Sequence, residues 1–116
     1  MGLNVDLSDP SRPKCLVVED LPFHSGGVGQ HFMNGAVIAG MFDFVIGLTA
    51  LPHAAKGNFA TTSVNMKLIK PVQVGGVYAV AECRREIGRR LLVESTWFDG
   101  SNEPCCFASG EVRIAI

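Results

Sequence analysis

From Phe32 to Leu51 the chain reads FMNGAVIAGMFDFVIGLTAL, an apolar run whose one charge, Asp43, sits near its middle. Such a run is either a membrane span or a helix buried within a protein. An acid at the centre of a span costs about 2.5–3.5 kcal/mol on insertion scales, and no basic flank follows the run directly. The buried helix is therefore the expectation. Asn34 suits its N-cap, because an Asn side-chain oxygen accepts an orphan backbone N–H. Pro52 stops it, which bounds the helix at about Thr49 or Ala50. Its residues are apolar on every side, and a helix of that kind is normally covered on every side. Gly35, Gly40 and Gly47 weaken it by up to about 1 kcal/mol each relative to Ala. Their expected use is the close approach of another backbone, as in a sheet wrapped around the helix.

The chain has 116 residues, which predicts a single domain over 1–116 with a loose segment at 1–12 around Pro10. Hydrophobic residues make up 47% and charged residues 18%, the opposite of a disordered balance. Lys and Arg total 10 against 11 Asp and Glu, so the chain lacks the basic footprint of a nucleic-acid binder. A chain this short has little interior, so part of the apolar surplus is expected to be covered by a second copy. Cys15, Cys83, Cys105 and Cys106 match no zinc or redox spacing and read as small buried hydrophobes. The N-terminus, MGLNVDLSDPSRPK, has acids early and no apolar core of a signal peptide. A reduced, cytoplasmic setting without a membrane partner is expected.

Lys14 to Glu19 predicts a short strand, and the glycine-rich stretch that follows predicts a loop with a short strand near Val28 to Phe32. After Gly57 everything reads as strands. In Phe59 to Lys70, a strict alternation puts Thr62, Val64, Met66 and Leu68 on one face and Thr61, Ser63, Asn65 and Lys67 on the other. Val77 to Ile87, Arg90 to Phe98 and Pro104 to Ile116 form an antiparallel meander. Gly88-Arg89 predicts a type II′ hairpin turn with Gly first, and Asp99 to Asn102 makes the second turn. The order is strand, buried helix, four strands, and hence an α+β domain in which a curved antiparallel sheet covers a central helix.

With these elements in place, the chain resembles the hotdog-fold acyl-CoA thioesterases of the phenylacetate-pathway and 4-hydroxybenzoyl-CoA type. The residues that carry the resemblance are NGAVIAGMFD at Asn34–Asp43, TTSVNMKLIKP at Thr61–Pro71, and the hairpin CRREIGRR at Cys83–Arg90. The family usually has His-Gly-Gly at the first of these, with an Asp or Glu nine residues after the His. Gly35 and Asp43 match that pattern, while Asn34 and Ala36 stand where the His and the second Gly would be. The resemblance implies a homodimer or homotetramer with its site at a dimer interface. It implies hydrolysis of an acyl-CoA thioester, with CoA entering as part of the substrate and no separate cofactor or metal.

A lone acid in an apolar helix is either satisfied structurally or retained for chemistry. Burial would raise its pKa unless hydrogen bonds favoured the ionised form. The resemblance implies that Asp43 acts as nucleophile or as general base for the water attacking the thioester carbonyl. Gly35, in the first helical turn, has a backbone N–H without an intrahelical acceptor and sits at the positive end of the helix dipole. The resemblance gives it the oxyanion role. Thr61 takes the place of a Ser or Thr that orients water, with Thr62 the alternative if the strand face is reversed. Asn34 caps the helix or bonds substrate in place of the family's His. His31 lies near enough in sequence to stand in for a substrate-binding group. Arg84, Arg85, Arg89 and Arg90, with Lys67 and Lys70, hold most of the positive charge, and Arg pairs phosphate bidentately. The resemblance implies that CoA lies along the sheet near this hairpin and the Pro turn, with Arg89, Arg90 and Lys70 as its contacts. A non-catalytic acyl-CoA or lipid binder on the same scaffold, and an enoyl-thioester dehydratase using His31, are the competing readings. Met41, Phe42, Phe44 and Trp97 read as core before they read as an acyl tunnel.

Overall fold

Four long strands follow one helix, and their pairing decides where the helix can lie. The computed structural model describes residues 3–17, 25–26, 29–33, 35–53, 58–70 and 77–114. The strands are β1 (Leu3–Asp6), β2 (Lys14–Val17), β3 (Ser25–Gly26), β4 (Gly29–Met33), β5 (Phe59–Leu68), β6 (Tyr78–Ile87), β7 (Arg90–Phe98) and β8 (Pro104–Ile114). Helix α1 (Gly35–Leu48) separates β4 from β5. Six strands form one antiparallel sheet in the order β1-β2-β6-β7-β8-β5, while β3 and β4 pair separately. The meander β6-β7-β8 is continuous, and β5 returns to pair with β8 at the far edge. One helix covered by one curved antiparallel sheet is the hotdog arrangement that the element order implies.

The hairpin at Gly88-Arg89 forms as expected: Gly88 has φ of 60°, and Arg89 is not left-handed. The second turn is held by Asp99, whose Oδ1 accepts the Ser101 N–H at 2.9 Å and the Glu103 N–H at 3.0 Å. Helix α1 ends with a tightened turn. Thr49, Ala50 and Leu51 each donate to the carbonyl three residues back, at 3.1–3.2 Å, just ahead of Pro52.

Along α1, Ile38, Met41, Phe42, Val45 and Ile46 are buried against the concave face of the sheet. Phe42 meets Trp97 of β7 edge to face, with ring centroids 6.0 Å apart. Beneath Ile46 the sheet carries Gly110 of β8. A Cβ there would lie 2.9 Å from the Ser63 carbonyl oxygen and 3.0 Å from Ile46 Cδ1, so the helix rests directly on the strand backbone. Gly110→Ala is therefore expected to cost about 1–3 kcal/mol, read as a lower urea midpoint at unchanged m.

Three expectations need correction. The segment 1–12, expected to be loose, contains β1, which pairs with β2 from Leu3↔Val17 to Asp6↔Lys14. Asp6 and Asp9 hold the connecting turns by accepting the Ser8 and Ser11 N–H groups. Hydrogen bonds from the Ser8 and Ser11 hydroxyls, and after them those from the same residues' N–H groups, hold both carboxyls below the usual carboxylate range. Second, the helix is not covered on every side by its own chain: Gly40, Asp43 and Phe44 are exposed. Phe44, expected in the core, is 47% exposed. A single sheet covers a single face of a helix, and the apolar composition of the opposite face carries no information about which chain covers it.

The third correction concerns β5. Its partners on β8 run Thr61↔Val112 and then Ser63↔Glu111, so Thr62 is an extra residue with no ladder partner. This bulge shifts the alternation by one. Phe59 and Val64 pack on the core, and Thr61 turns to the helix with them, while Ser63 and Asn65 line a groove on the outer face. A strict period of two puts Thr61 on the wrong side. Further bulges fall at Arg84 of β6 and Cys105 of β8.

The four cysteines are free: Cys15, Cys105 and Cys106 are buried and Cys83 is half-buried. Burial pushes the Cys106 thiol up to about 11, so little thiolate exists near neutrality. Iodoacetamide at pH 8 is expected to leave Cys15, Cys105 and Cys106 unmodified until denaturant is added, as read by intact mass. No helix among the described residues is long and apolar enough to cross a membrane.

Candidate active site

The exposed side of α1 is where the one helical charge lies. Asp43 and Gly47 are one turn apart and share a face. A Cβ built on Gly47 would sit 3.4 Å from Thr61 Oγ1 and 3.6 Å from Phe59 Cε2. The Thr61 hydroxyl thus lies against the helix one turn beyond Asp43. Asp43, Thr61 and Gly47, with Phe44, Leu48 and Phe59, line one groove of about 330 Å³. Its polar groups are a carboxylate and a hydroxyl, and its walls are phenyl rings and a Leu side chain. This is a small apolar recess with a proton acceptor and a hydroxyl facing the same space, the common build of a small-molecule site.

The burial expected of Asp43 is absent in the single chain: its side chain is exposed. Among the described residues no hydrogen-bond donor or cation engages its carboxylate.

Gly35 begins α1. Eight residues separate it from Asp43, which at 1.5 Å per residue places its N–H about 12 Å away along the helix axis. One helix cannot present both groups to one carbonyl. Asn34 lies outside the described residues, and His31 lies in β4, at the N-terminal side of the helix.

Thr62 faces away from the groove. Its Oγ1 lies 3.2 Å from the Glu111 carbonyl oxygen and 3.0 Å from Glu111 Oε2, so its proton is shared between two acceptors on β8. The basic residues divide into two groups. Arg84, Arg85, Arg89 and Arg90 cluster at the β6-β7 hairpin end of the sheet. Arg84 pairs with Glu82 and Glu94, and Arg90 Nε lies 3.3 Å from Glu111 Oε1. Arg85 and Arg89 have no carboxylate partner among the described residues. Lys70 is at the opposite end, beside the Asp99 turn, a strand length of about 27 Å away. Its ammonium binds Glu103 at 2.8 Å and Asp99 at 3.1 Å. These bonds, Glu103 first, hold Lys70 above its ordinary pKa. Within one chain, Lys70 and the hairpin arginines therefore do not form one patch. The reason is that β5 runs antiparallel to β8, which carries the residues after Leu68 away from the hairpin.

Met41, Phe42 and Trp97 are core, and Phe44 is a groove wall instead. Phe59 and Leu48 are walls that the sequence reading did not single out. The available signal was Gly47, whose missing side chain opens the helix face toward them.

A sequence profile described as the thioesterase superfamily matches residues 30–106. No curated protein matches the sequence. Among solved structures, a Shewanella oneidensis protein described as related to the thioesterase superfamily superposes with a TM-score of 0.82 at 18% identity, covering 98% of this chain and 83% of its own. The PaaI protein from the phenylacetic acid degradation operon of E. coli gives 0.82 at 9% identity, covering 99% and 80%. The BH2602 protein of Bacillus halodurans, solved with CoA, gives 0.75 at 17% identity, covering 94% and 70%. These likenesses show the hotdog fold, and the profile spans both the helix that carries Asp43 and the strand that carries Thr61. The chain belongs to the thioesterase superfamily.

Proposed function

We propose that the protein hydrolyses an acyl-CoA thioester in a groove completed by a second copy of the chain. The observation that carries this reading is the placement of Asp43, the one helical charge, on a groove with Thr61 and apolar walls. Asp43 takes a proton from a water held by Thr61, and the water oxygen attacks the thioester carbon. The carbonyl oxygen becomes an oxyanion at the Gly35 N–H of the other copy's helix. Collapse of the tetrahedral intermediate breaks the carbon–sulfur bond, and CoA thiolate leaves and is protonated. Direct attack by the carboxylate, giving an anhydride that water then opens, uses the same groups.

The shared site is supported by the 12 Å or so between Gly35 and Asp43 along one helix. Two antiparallel helices would bring the first turn of each to the middle of the other. The exposed Phe44 and the open edge of β5, where Leu68 is 47% exposed, are surfaces that a second copy would cover. CoA as the carrier is supported by Arg85 and Arg89, which have no carboxylate partner among the described residues, with Arg90 beside them, and by a structural relative solved with CoA. Asn34 would cap the helix beside the oxyanion donor, and His31 would meet substrate only from outside the Asp43 groove. A cytoplasmic location fits free thiols and an acyl-CoA substrate.

The test is thiol release over short, long and aromatic acyl-CoAs, with Asp43→Asn in parallel and sedimentation of the native protein. Release by the wild type that is lost in the variant, from a dimer or larger assembly, is expected. Equal release by both would remove Asp43 from the chemistry. Tight acyl-CoA binding without release would make the protein a carrier, and hydration of an enoyl thioester would make it a hydratase.

A further inference from the structure

The groove depends on a backbone irregularity, and side chains outside the groove hold that irregularity in place. Without the extra residue in β5, Thr61 would be in phase with Ser63 and Asn65, whose side chains line the outer face of the sheet. The bulge at Thr62 inverts this and directs the Thr61 hydroxyl to Gly47 and the Asp43 groove. A bulged residue has no ladder partner, so contacts made by its side chain can fix where along the strand it sits. Here the Thr62 hydroxyl bridges the Glu111 carbonyl oxygen and Oε2. The other carboxylate oxygen, Oε1, lies 3.3 Å from Arg90 Nε on β7. The Glu111 side chain is 26% exposed, so these charge-assisted contacts are partly shielded from water. Three strands are thereby joined at the level of the bulge.

We infer that Thr62 and Glu111 are positioning residues: their contact pins the one-residue bulge that turns Thr61 into the groove. The consequence for turnover rests on the water-orienting role proposed for Thr61, whereas the geometric part does not. Arg90 steadies the carboxylate from the opposite side.

The experiment uses the full chain with methyl-labelled threonine. It reads the nuclear Overhauser contact between the Thr61 methyl and the Gly47 Hα protons in Thr62→Val, Glu111→Ala and Thr62→Ser. The contact is expected to weaken or vanish in the first two and to persist in Thr62→Ser, which keeps the hydroxyl. In the thiol-release assay kcat is expected to fall about tenfold in the first two, with KM within about twofold of wild type. Thr62→Ser should retain turnover. A Thr61–Gly47 contact unchanged in both Thr62→Val and Glu111→Ala would overturn the inference. Loss of the contact with kcat unchanged supports the pinning of Thr61 and instead removes Thr61 from the proposed hydrolysis.

Discussion

Asp43→Asn is expected to abolish most thiol release while leaving the fold intact. The amide matches the carboxylate in shape but cannot accept the proton of the attacking water or form an acyl intermediate. Loss of a positioned general base is worth about 10²–10⁴-fold. Stability should be nearly unchanged, within about 0.5 kcal/mol, because the side chain is exposed in the chain. Circular dichroism melts at one fixed protein concentration, alongside kcat/KM, give both numbers. A melting point lowered together with activity would point to a structural acid instead.

The largest stability effect is expected at the other face of the same helix. Phe42 and Trp97 are both fully buried, at 0% and 1% exposure, and meet edge to face. Truncating either to Ala removes a large apolar side chain from a packed interior, at about 3–5 kcal/mol each. The ring pair itself contributes about 0.5–1.5 kcal/mol beyond burial, so the double variant should lose less than the sum. Trp97→Phe is expected to lose much less than Trp97→Ala. The Trp97 Nε1 proton is buried without a partner among the described residues, a penalty of about 1–3 kcal/mol that Phe does not carry. Urea unfolding followed by circular dichroism orders these variants. A Trp97→Phe loss as large as that of Trp97→Ala would mean that the indole N–H is satisfied in solution.

The parts of the fold legible in the sequence were those with strong local signals. The apolar run between Asn34 and Pro52 marked the helix, and Gly88 marked the hairpin. Thr61 was a different case. Its identity as a candidate was legible, but its direction was set by Thr62 as an unpaired residue, and a bulge leaves no mark in a pattern of period two. The Glu111 contact that accompanies the bulge joins residues 49 positions apart. Asp43 was legible as conspicuous but not as exposed. Its surroundings depend on which side of α1 the chain's own sheet takes, and an all-apolar helix does not say. β1 was missed because its four residues flank a proline-rich turn whose Asx bonds are too local to show the strand pairing they allow.

The contact between Ile46 and Gly110 places a limit on how this chain can diverge. Two of the three atoms that would meet a side chain at Gly110 belong to Ile46, and the third is a main-chain oxygen of β5. The two positions share one volume. A descendant that gains a methyl group at Gly110 has to give up bulk at Ile46 and also let β5 withdraw slightly. Substitutions at these sites should therefore arise as a pair, with the smaller residue at Ile46 arriving first.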